Sequence, residues 1–138
     1  MDKRIELEAD GVTATARLTE AAAPNSTKRF WDALPMEESM RHVRWGGNCA
    51  FVLSKALRDP DFPFESRISF YDRGTISLKP QHGEVALSYG QAQARDPIGT
   101  GWATPLAVFE GDFEPFLAVL AKTQREGAKP LTIRRKVS

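Results

Sequence analysis

The segment RHVRWGGNCAFV, residues 41–52, has the densest set of reactive side chains in the chain. It contains His42, one of two histidines, and Cys49, the single cysteine of the 138 residues. A cysteine–histidine pair acts as a nucleophile when the imidazole lies within hydrogen-bonding reach of the sulfur and a third group orients the base. No recognised local signature surrounds Cys49, and an unpaired cysteine is usually a small buried apolar residue. The sequence therefore favours a structural role for Cys49, with nucleophilic catalysis as the alternative.

Other catalytic arrangements find less support in the spacing of the residues. His42 and His82 are far apart in the sequence, and no HxH, HExxH or CxxC spacing is present, so we expect no metal site. The chain also lacks a Gly-x-Ser-x-Gly elbow and a phosphate-binding glycine loop, and we expect no bound cofactor. Two carboxylate pairs lie in loop-like or strand-edge segments and predict surface charge rather than acid–base catalysis, namely Glu37–Glu38 and Asp59 with Asp61.

A larger set of polar and aromatic residues lies near the ends of predicted strands. Arginine supplies a planar, two-pronged donor for carboxylate or amide groups, and aromatic rings supply an apolar wall. If the strands close into a barrel, such residues meet at one mouth, where a small polar or anionic ligand would bind. The alternative is that the aromatic residues belong to the core and the arginines to the surface. The candidate ligand-binding residues are His42, Arg44, Trp45, Asn48, Tyr71, Tyr89, Gln91, Arg95 and Trp102.

Alternation of apolar and polar residues predicts that most of the chain forms β-strands. Residues 5–18 predict a hairpin around Asp10–Gly11, a dipeptide typical of two-residue turns. Residues 39–54 predict two strands interrupted at Gly46–Gly47. Residues 68–71 and 75–79 predict a second hairpin, and further strands are expected at 85–90, 102–109 and 131–137. Residues 91–101 show no periodicity and predict a functional or edge loop.

Two helices are predicted, one after the first hairpin and one near the C-terminus. We expect Asn25 or Ser26 to cap the first helix and Pro35 to end it. In the second helix, Asp112 is the expected cap and Gly127 the expected end, and the apolar stripe is Phe113, Phe116, Leu117 and Leu120. These elements predict a single mainly β domain, an antiparallel barrel whose ends are covered by two amphipathic helices.

Composition limits the classes of partner. The chain has 19 basic and 18 acidic residues, a net charge of +1, which argues against nucleic acid as the main partner. The short basic cluster at residues 134–136 predicts a solvated strand end. The longest apolar run, residues 116–121, is too short to span a bilayer, and no secretory signal is visible at the N-terminus. We therefore expect a cytoplasmic protein that does not bind membranes.

Three stretches of the chain have a distinctive pattern, namely AAPNSTKRFWDALP at residues 22–35, WGGNCAFV at 45–52 and GTISLKPQHGEVALSYG at 74–90. They resemble small bacterial proteins of unknown function that share the cyclophilin-like fold. The resemblance extends over nearly the whole chain and implies one cyclophilin-like domain over residues 1–138, with eight antiparallel strands and two capping helices. The motifs are short and structural, so they imply the fold more than an activity.

Prolyl isomerases of that fold have a fuller catalytic pattern, Phe-His-Arg followed by Gln-Gly-Gly-Asp. This chain has only His42 and Arg44 before Gly46–Gly47 and Asn48, and Trp45 stands where glutamine is expected. Two functions remain open: a small-molecule-binding protein or enzyme with its pocket at a barrel mouth, and a peptide-binding module or degenerate prolyl isomerase. In the second, the phenylalanines of DPDFPFES, Phe62 and Phe64, would flank a groove. A homodimer that buries the same two rings is a third alternative.

Overall fold

The structure, a computed structural model, describes residues 2–137. Within these residues, eight antiparallel strands form a barrel, and three short strands and two α-helices lie outside it. The strands are β1 (Arg4–Ala9), β2 (Val12–Leu18), β3 (Met36–His42), β4 (Gly47–Leu53), β5 (Phe70–Tyr71), β6 (Thr75–Lys79), β7 (Glu84–Gln93), β8 (Arg95–Asp96), β9 (Gly99–Thr100), β10 (Thr104–Glu110) and β11 (Lys129–Arg135). The helices are α1 (Pro24–Asp32), between β2 and β3, and α2 (Glu114–Glu126), between β10 and β11.

The barrel strands follow the order β4-β3-β11-β1-β2-β10-β6-β7, and β7 pairs back with β4 to close the barrel. Closure satisfies the backbone groups that an open sheet would leave at its edges. The interior is filled by apolar side chains that alternate along the strands, and Phe30 of α1 and Phe116 of α2 are completely buried in the same core. The predicted fold class, a closed eight-stranded antiparallel barrel with two helices, is confirmed.

The predictions that depend on residues close together in the sequence are confirmed for the first hairpin and for α2. Asp10 and Gly11 have φ values of 52° and 73°, as a two-residue hairpin turn requires, and β1 pairs with β2 around them. In α2 the stripe of Phe116, Leu117 and Leu120 is buried, and the helix ends before Gly127, whose φ is 84°.

The predicted pairing of residues 68–71 with 75–79 is wrong. Both edges of β6 are taken by the barrel strands β7 and β10, so β5 pairs instead with the end of β7. Strand β7 runs past Gly90 to Gln93, and the predicted loop at 91–101 consists of this strand end followed by the β8–β9 hairpin. Trp102 precedes β10 instead of belonging to it, and the last strand covers residues 129–135.

Neither helix has the predicted cap. Helix α1 begins at Pro24, after Ala23, and the backbone N–H groups of Asn25 and Ser26 donate to the distant carboxylate of Glu65 at 3.2 and 2.6 Å. Helix α2 begins after Phe113 without a capping side chain, so Asp112 does not cap it. No helix in residues 2–137 combines the length and apolarity needed to cross a membrane.

Candidate functional site

The main candidate site lies on the outer wall of the barrel. Alternation along β4 and β7 places Val52 and Leu87 in the barrel core and Cys49 and Ala86 on the outside, where they join a second, smaller apolar cluster. The β3–β4 connection, β5 and the end of β7 surround part of this wall and leave a pocket of about 320 Å³. Its lining residues are Arg41, His42, Val43, Arg44, Trp45, Gly46, Cys49, Phe51, Tyr71, Lys79, Glu84, Ala86, Gln93 and Arg95.

The glycine pair brings the β3–β4 connection close to β7. A side chain at Gly46 would lie 2.9 Å from the carbonyl oxygen of Gln93, and one at Gly47, whose φ is 99°, would lie 2.8 Å from that of Gln91. The Gln93 N–H also donates to the Gly46 carbonyl at 2.7 Å. Only glycine allows this approach without a clash, and the connection consequently places Trp45, 58% exposed, at the pocket edge.

Three exposed arginines give the pocket a basic rim: Arg41, Arg44 and Arg95. The Arg41 guanidinium lies over the ring of Phe51, 5.7 Å from its centroid. Within residues 2–137, none of the three forms an ion pair, whereas Arg4, Arg17, Arg73 and Arg134 all pair with carboxylates. The rim therefore carries positive charge that the described chain does not neutralise.

Two buried groups at the pocket wall are neutral near physiological pH. Tyr71 is 5% exposed, burial raises the pKa of its phenol, and its hydroxyl has no hydrogen-bond partner in the described chain. Burial raises the pKa of the Cys49 thiol to about 12, and the thiol donates to the carbonyl of Ala50 at 3.3 Å. The thiolate is the nucleophilic form, so burial and the raised pKa both disfavour nucleophilic chemistry at Cys49, and the predicted burial of this residue is confirmed.

Lys79 and Glu84 face each other across the β6–β7 hairpin, on the outer side of the barrel. The Lys79 side chain is 5% exposed, and its ammonium donates to the Arg95 carbonyl at 2.8 Å and to the Asp96 carboxylate at 3.2 Å. Glu84 is half-buried and takes part in no side-chain hydrogen bond or ion pair within residues 2–137. Burial raises the pKa of Glu84, and the charges of Lys79 and His82 oppose this effect.

His42 is held by contacts that leave no ring nitrogen for Cys49. Its Nδ1 lies 2.7 Å from the carbonyl oxygen of Val43, which can only accept, so Nδ1 carries the hydrogen. Nε2 then accepts from the hydroxyl of Tyr89 at 2.8 Å. The cysteine–histidine pair considered from the sequence is therefore not assembled. No group of three or more His, Cys, Asp or Glu side chains in the described range is placed to hold a metal ion.

The candidate residues are only partly brought together. Five of them line the pocket, namely His42, Arg44, Trp45, Tyr71 and Arg95. Gln91 lines an adjoining groove of about 530 Å³. Tyr89 does not line the pocket, but its hydroxyl is hydrogen-bonded to His42, which does. Asn48 packs against Gly90, and Trp102 lies beneath the Arg67 guanidinium at 4.8 Å, so neither lines the pocket.

The predicted position at a barrel mouth is also corrected, since the pocket opens on the outer wall. Nine of the lining residues were not among the ligand-binding candidates, including Arg41, Phe51, Lys79 and Glu84. The sequence did contain a signal for Lys79 and Glu84. The two residues flank the PQHG turn at paired positions, and the alternation along both strands directs their side chains away from the barrel core.

The fold and site define a small closed β-barrel with a basic-rimmed pocket on its outer wall. The chain belongs to the family described as Protein of unknown function (DUF3830), whose model matches residues 5–132. Comparison with curated proteins gives no match.

Two solved structures are similar in fold. McbB in complex with tryptophan has a TM-score of 0.76 at 21% identity over 97% of this chain and 45% of the McbB chain. The hypothetical protein AF2241 from Archaeoglobus fulgidus, known from its solution structure, has a TM-score of 0.68 at 14% identity over 98% of this chain and 95% of its own. This chain spans less than half of McbB, and at these identities the similarity concerns the fold alone.

Proposed function

We propose that the protein binds a small ligand that carries a carboxylate, or a similar planar anion, next to a flat apolar group. The observation that carries this proposal is the basic rim, Arg41, Arg44 and Arg95, without ion pairs in the described chain. Guanidinium groups bind carboxylates through two parallel hydrogen bonds, and the rings of Trp45 and Phe51 supply an apolar surface beside them.

The size of the pocket limits the ligand. A volume of about 320 Å³ lies near the lower end of the range for small-molecule sites, roughly 300–1,000 Å³. A compact aromatic carboxylate fits this volume, whereas a dinucleotide does not. The solved McbB complex contains tryptophan, so a protein of similar fold accommodates a ligand of this class. This supports indole carboxylates as the first probes.

The test is isothermal titration of the protein with indole-3-propionate, and with tryptamine as a probe that lacks the carboxylate. We expect indole-3-propionate to bind and tryptamine to bind much more weakly. Arg44→Ala should weaken indole-3-propionate about tenfold or more, because a charged hydrogen bond contributes roughly 1.5–3 kcal/mol. The matched control is Arg125→Ala, an exposed arginine of α2 away from the pocket. Absence of binding at millimolar concentration, or an equal loss in both variants, would contradict the proposal.

Peptide binding is the second candidate function, and the groove beside the pocket supports it. The groove is lined by Trp45 and by Phe70, which is 71% exposed, and could receive an extended apolar segment. The predicted flanking rings, Phe62 and Phe64, are half-buried and line neither cavity, and Arg29 covers Phe62. A proline-containing peptide that binds without competition from indole-3-propionate, with turnover in a prolyl isomerase assay, would favour this candidate.

The remaining parts of the proposal concern the class of protein and its setting. We propose that the barrel is of the cyclophilin-like type, on the basis of its eight antiparallel strands and two helices. Cytoplasmic location and self-association stay predictions, as does enzymatic turnover.

A further inference from the structure

We propose that Glu84 recognises an amino group, so that the ligand of the outer-wall pocket is a compact zwitterion of the amino-acid type. Its carboxylate would lie at the arginine rim and its ammonium against Glu84. This inference rests on the proposed function, because it takes the same pocket as the ligand site.

The first observation is that Glu84 is the one acidic side chain among the described residues that line the pocket. Its cross-strand neighbour Lys79 is the expected partner, but the Lys79 ammonium is already bound to Asp96 and to the Arg95 carbonyl. Burial disfavours the ionised form of the half-buried Glu84 carboxylate, so a ligand that supplies a positive N–H donor would stabilise that form.

The second observation is the hydroxyl of Tyr71, also in the pocket wall, which is buried and has no hydrogen-bond partner among residues 2–137. A primary ammonium has three N–H donors, and both a carboxylate and a phenol oxygen accept. A ligand carboxylate next to Glu84 would instead be repelled by it, and an apolar group would leave both acceptors unpaired. Glu84 and Tyr71 in the pocket wall therefore favour a cationic group, whereas the arginine rim favours an anionic one.

The charges that face Glu84 determine how binding depends on pH. They come from β6, the following turn, β8 and the rim, and Cys49 and Tyr71 stay neutral because burial raises the pKa of each. The ionisable groups concerned are Lys79, His82, Asp96, Arg41, Arg44 and Arg95. Asp96 is the partner of Lys79, and among these groups and Glu84 it is Glu84 whose pKa is raised by burial.

Two probes that differ only in the amino group should respond to pH with opposite signs. A ligand ammonium favours the ionised form of Glu84, so tryptophan affinity should rise as pH increases through the raised pKa of Glu84. Indole-3-propionate lacks the ammonium, and ionised Glu84 disfavours its carboxylate, so its affinity should fall over the same pH range. Opposite slopes that disappear in Glu84→Gln would assign this pH dependence to Glu84.

The experiment is titration calorimetry of the full chain with both probes at intervals between about pH 5 and about pH 8. Phenylalanine and 3-phenylpropionate form a second matched pair, in case the indole ring is too large. Glu84→Gln should weaken binding of the amino acids about tenfold or more near neutral pH, and leave the propionates unchanged or tighter. It should also remove the difference in slope. Glu37→Gln, at an exposed glutamate outside the pocket, is the matched control.

The outcomes separate this inference from the proposed function. If the propionates bind in an Arg44-dependent manner, but the amino acids bind no better and ignore Glu84→Gln, the inference is overturned and the proposed function stands. If no carboxylate probe binds the wild-type protein, which an unfolding curve shows to be folded, both are overturned. If both probes bind and only Glu84→Gln abolishes the preference for the amino acids, both are supported.

Discussion

Two tyrosines illustrate how a single hydrogen bond decides what a side chain does in this protein. The Tyr89 hydroxyl donates to His42 Nε2 at 2.8 Å, whereas the Tyr71 hydroxyl is buried without a partner in the described chain. The Tyr89 hydroxyl therefore has a hydrogen-bond partner in the folded protein. The Tyr71 hydroxyl weakens the folded state until something binds it, because an unpaired buried polar group loses its hydration without compensation.

Replacing each tyrosine by phenylalanine should therefore change stability in different ways. We expect Tyr89→Phe to lower the free energy of unfolding by about 1 kcal/mol through loss of its hydrogen bond. Tyr71→Phe should leave the free energy of unfolding unchanged or raise it by up to about 1 kcal/mol. Urea unfolding of the two variants measures this difference. A loss in Tyr71→Phe as large as that in Tyr89→Phe would show that the Tyr71 hydroxyl is paired in solution.

At the scale of the elements, the short helix α1 depends on a residue from a distant loop. The Glu65 carboxylate accepts from the backbone N–H of Asn25 and of Ser26, the role that a local cap would otherwise have. Burial acts to raise the pKa of Glu65, but the hydrogen bonds from Ser26 and Asn25 outweigh it and hold the pKa below its usual value. The loop and the helix thus stabilise each other.

Glu65→Gln should lower the free energy of unfolding by about 1 kcal/mol at neutral pH, since a cap contributes roughly 0.5–2 kcal/mol. Because the folded-state pKa is lowered, this stability is present above the pKa of the unfolded chain and is lost as pH falls through the folded-state pKa. The difference from wild type should consequently shrink in acid. Urea unfolding at neutral and acidic pH measures it, with Glu37→Gln as the control. A difference that does not depend on pH would show that the charge of Glu65 is not involved.

At the scale of the whole molecule, charge is balanced overall but unevenly distributed. The net charge is +1, and many basic residues are paired with carboxylates, yet the arginines at the pocket rim form no ion pair within the described part of the chain. The local positive potential at the rim thus stands out against a nearly neutral protein. Such a potential attracts anions from solution, and the distance over which it acts becomes shorter as the salt concentration rises.

Raising the salt concentration from about 0.15 M to about 1 M shortens the screening length from roughly 8 Å to roughly 3 Å. We expect this change to weaken binding of indole-3-propionate several-fold, because the rim arginines are exposed. The free energy of unfolding should change much less, since the barrel core is apolar. Calorimetric titration and urea unfolding at both salt concentrations test the two expectations. Carboxylate binding that is insensitive to salt would place the ligand away from the arginine rim.

Much of the fold could be predicted from the sequence, because its signals act over short distances. The turn at Asp10–Gly11, the stripe of α2 and the alternation of the barrel strands each depend on residues a few positions apart. Together with the resemblance to barrel proteins, they predicted a closed eight-stranded barrel with two helices. The polar and aromatic residues near strand ends also predicted a ligand site, and Arg44, Trp45, Tyr71 and Arg95 of that set line one pocket.

The tertiary structure decided which elements meet and on which side of the barrel wall. Strand β5 pairs with β7 because β6 has no free edge, and Glu65 caps a helix almost forty residues earlier in the chain. Within residues 2–137 Glu84 forms no ion pair, and its cross-strand neighbour Lys79 pairs with Asp96 of β8. These contacts depend on long-range packing that no local pattern encodes. The sequence by itself determined the barrel and the cluster of polar and aromatic residues in 41–52, and the tertiary structure decided which of them line a pocket on its outer wall.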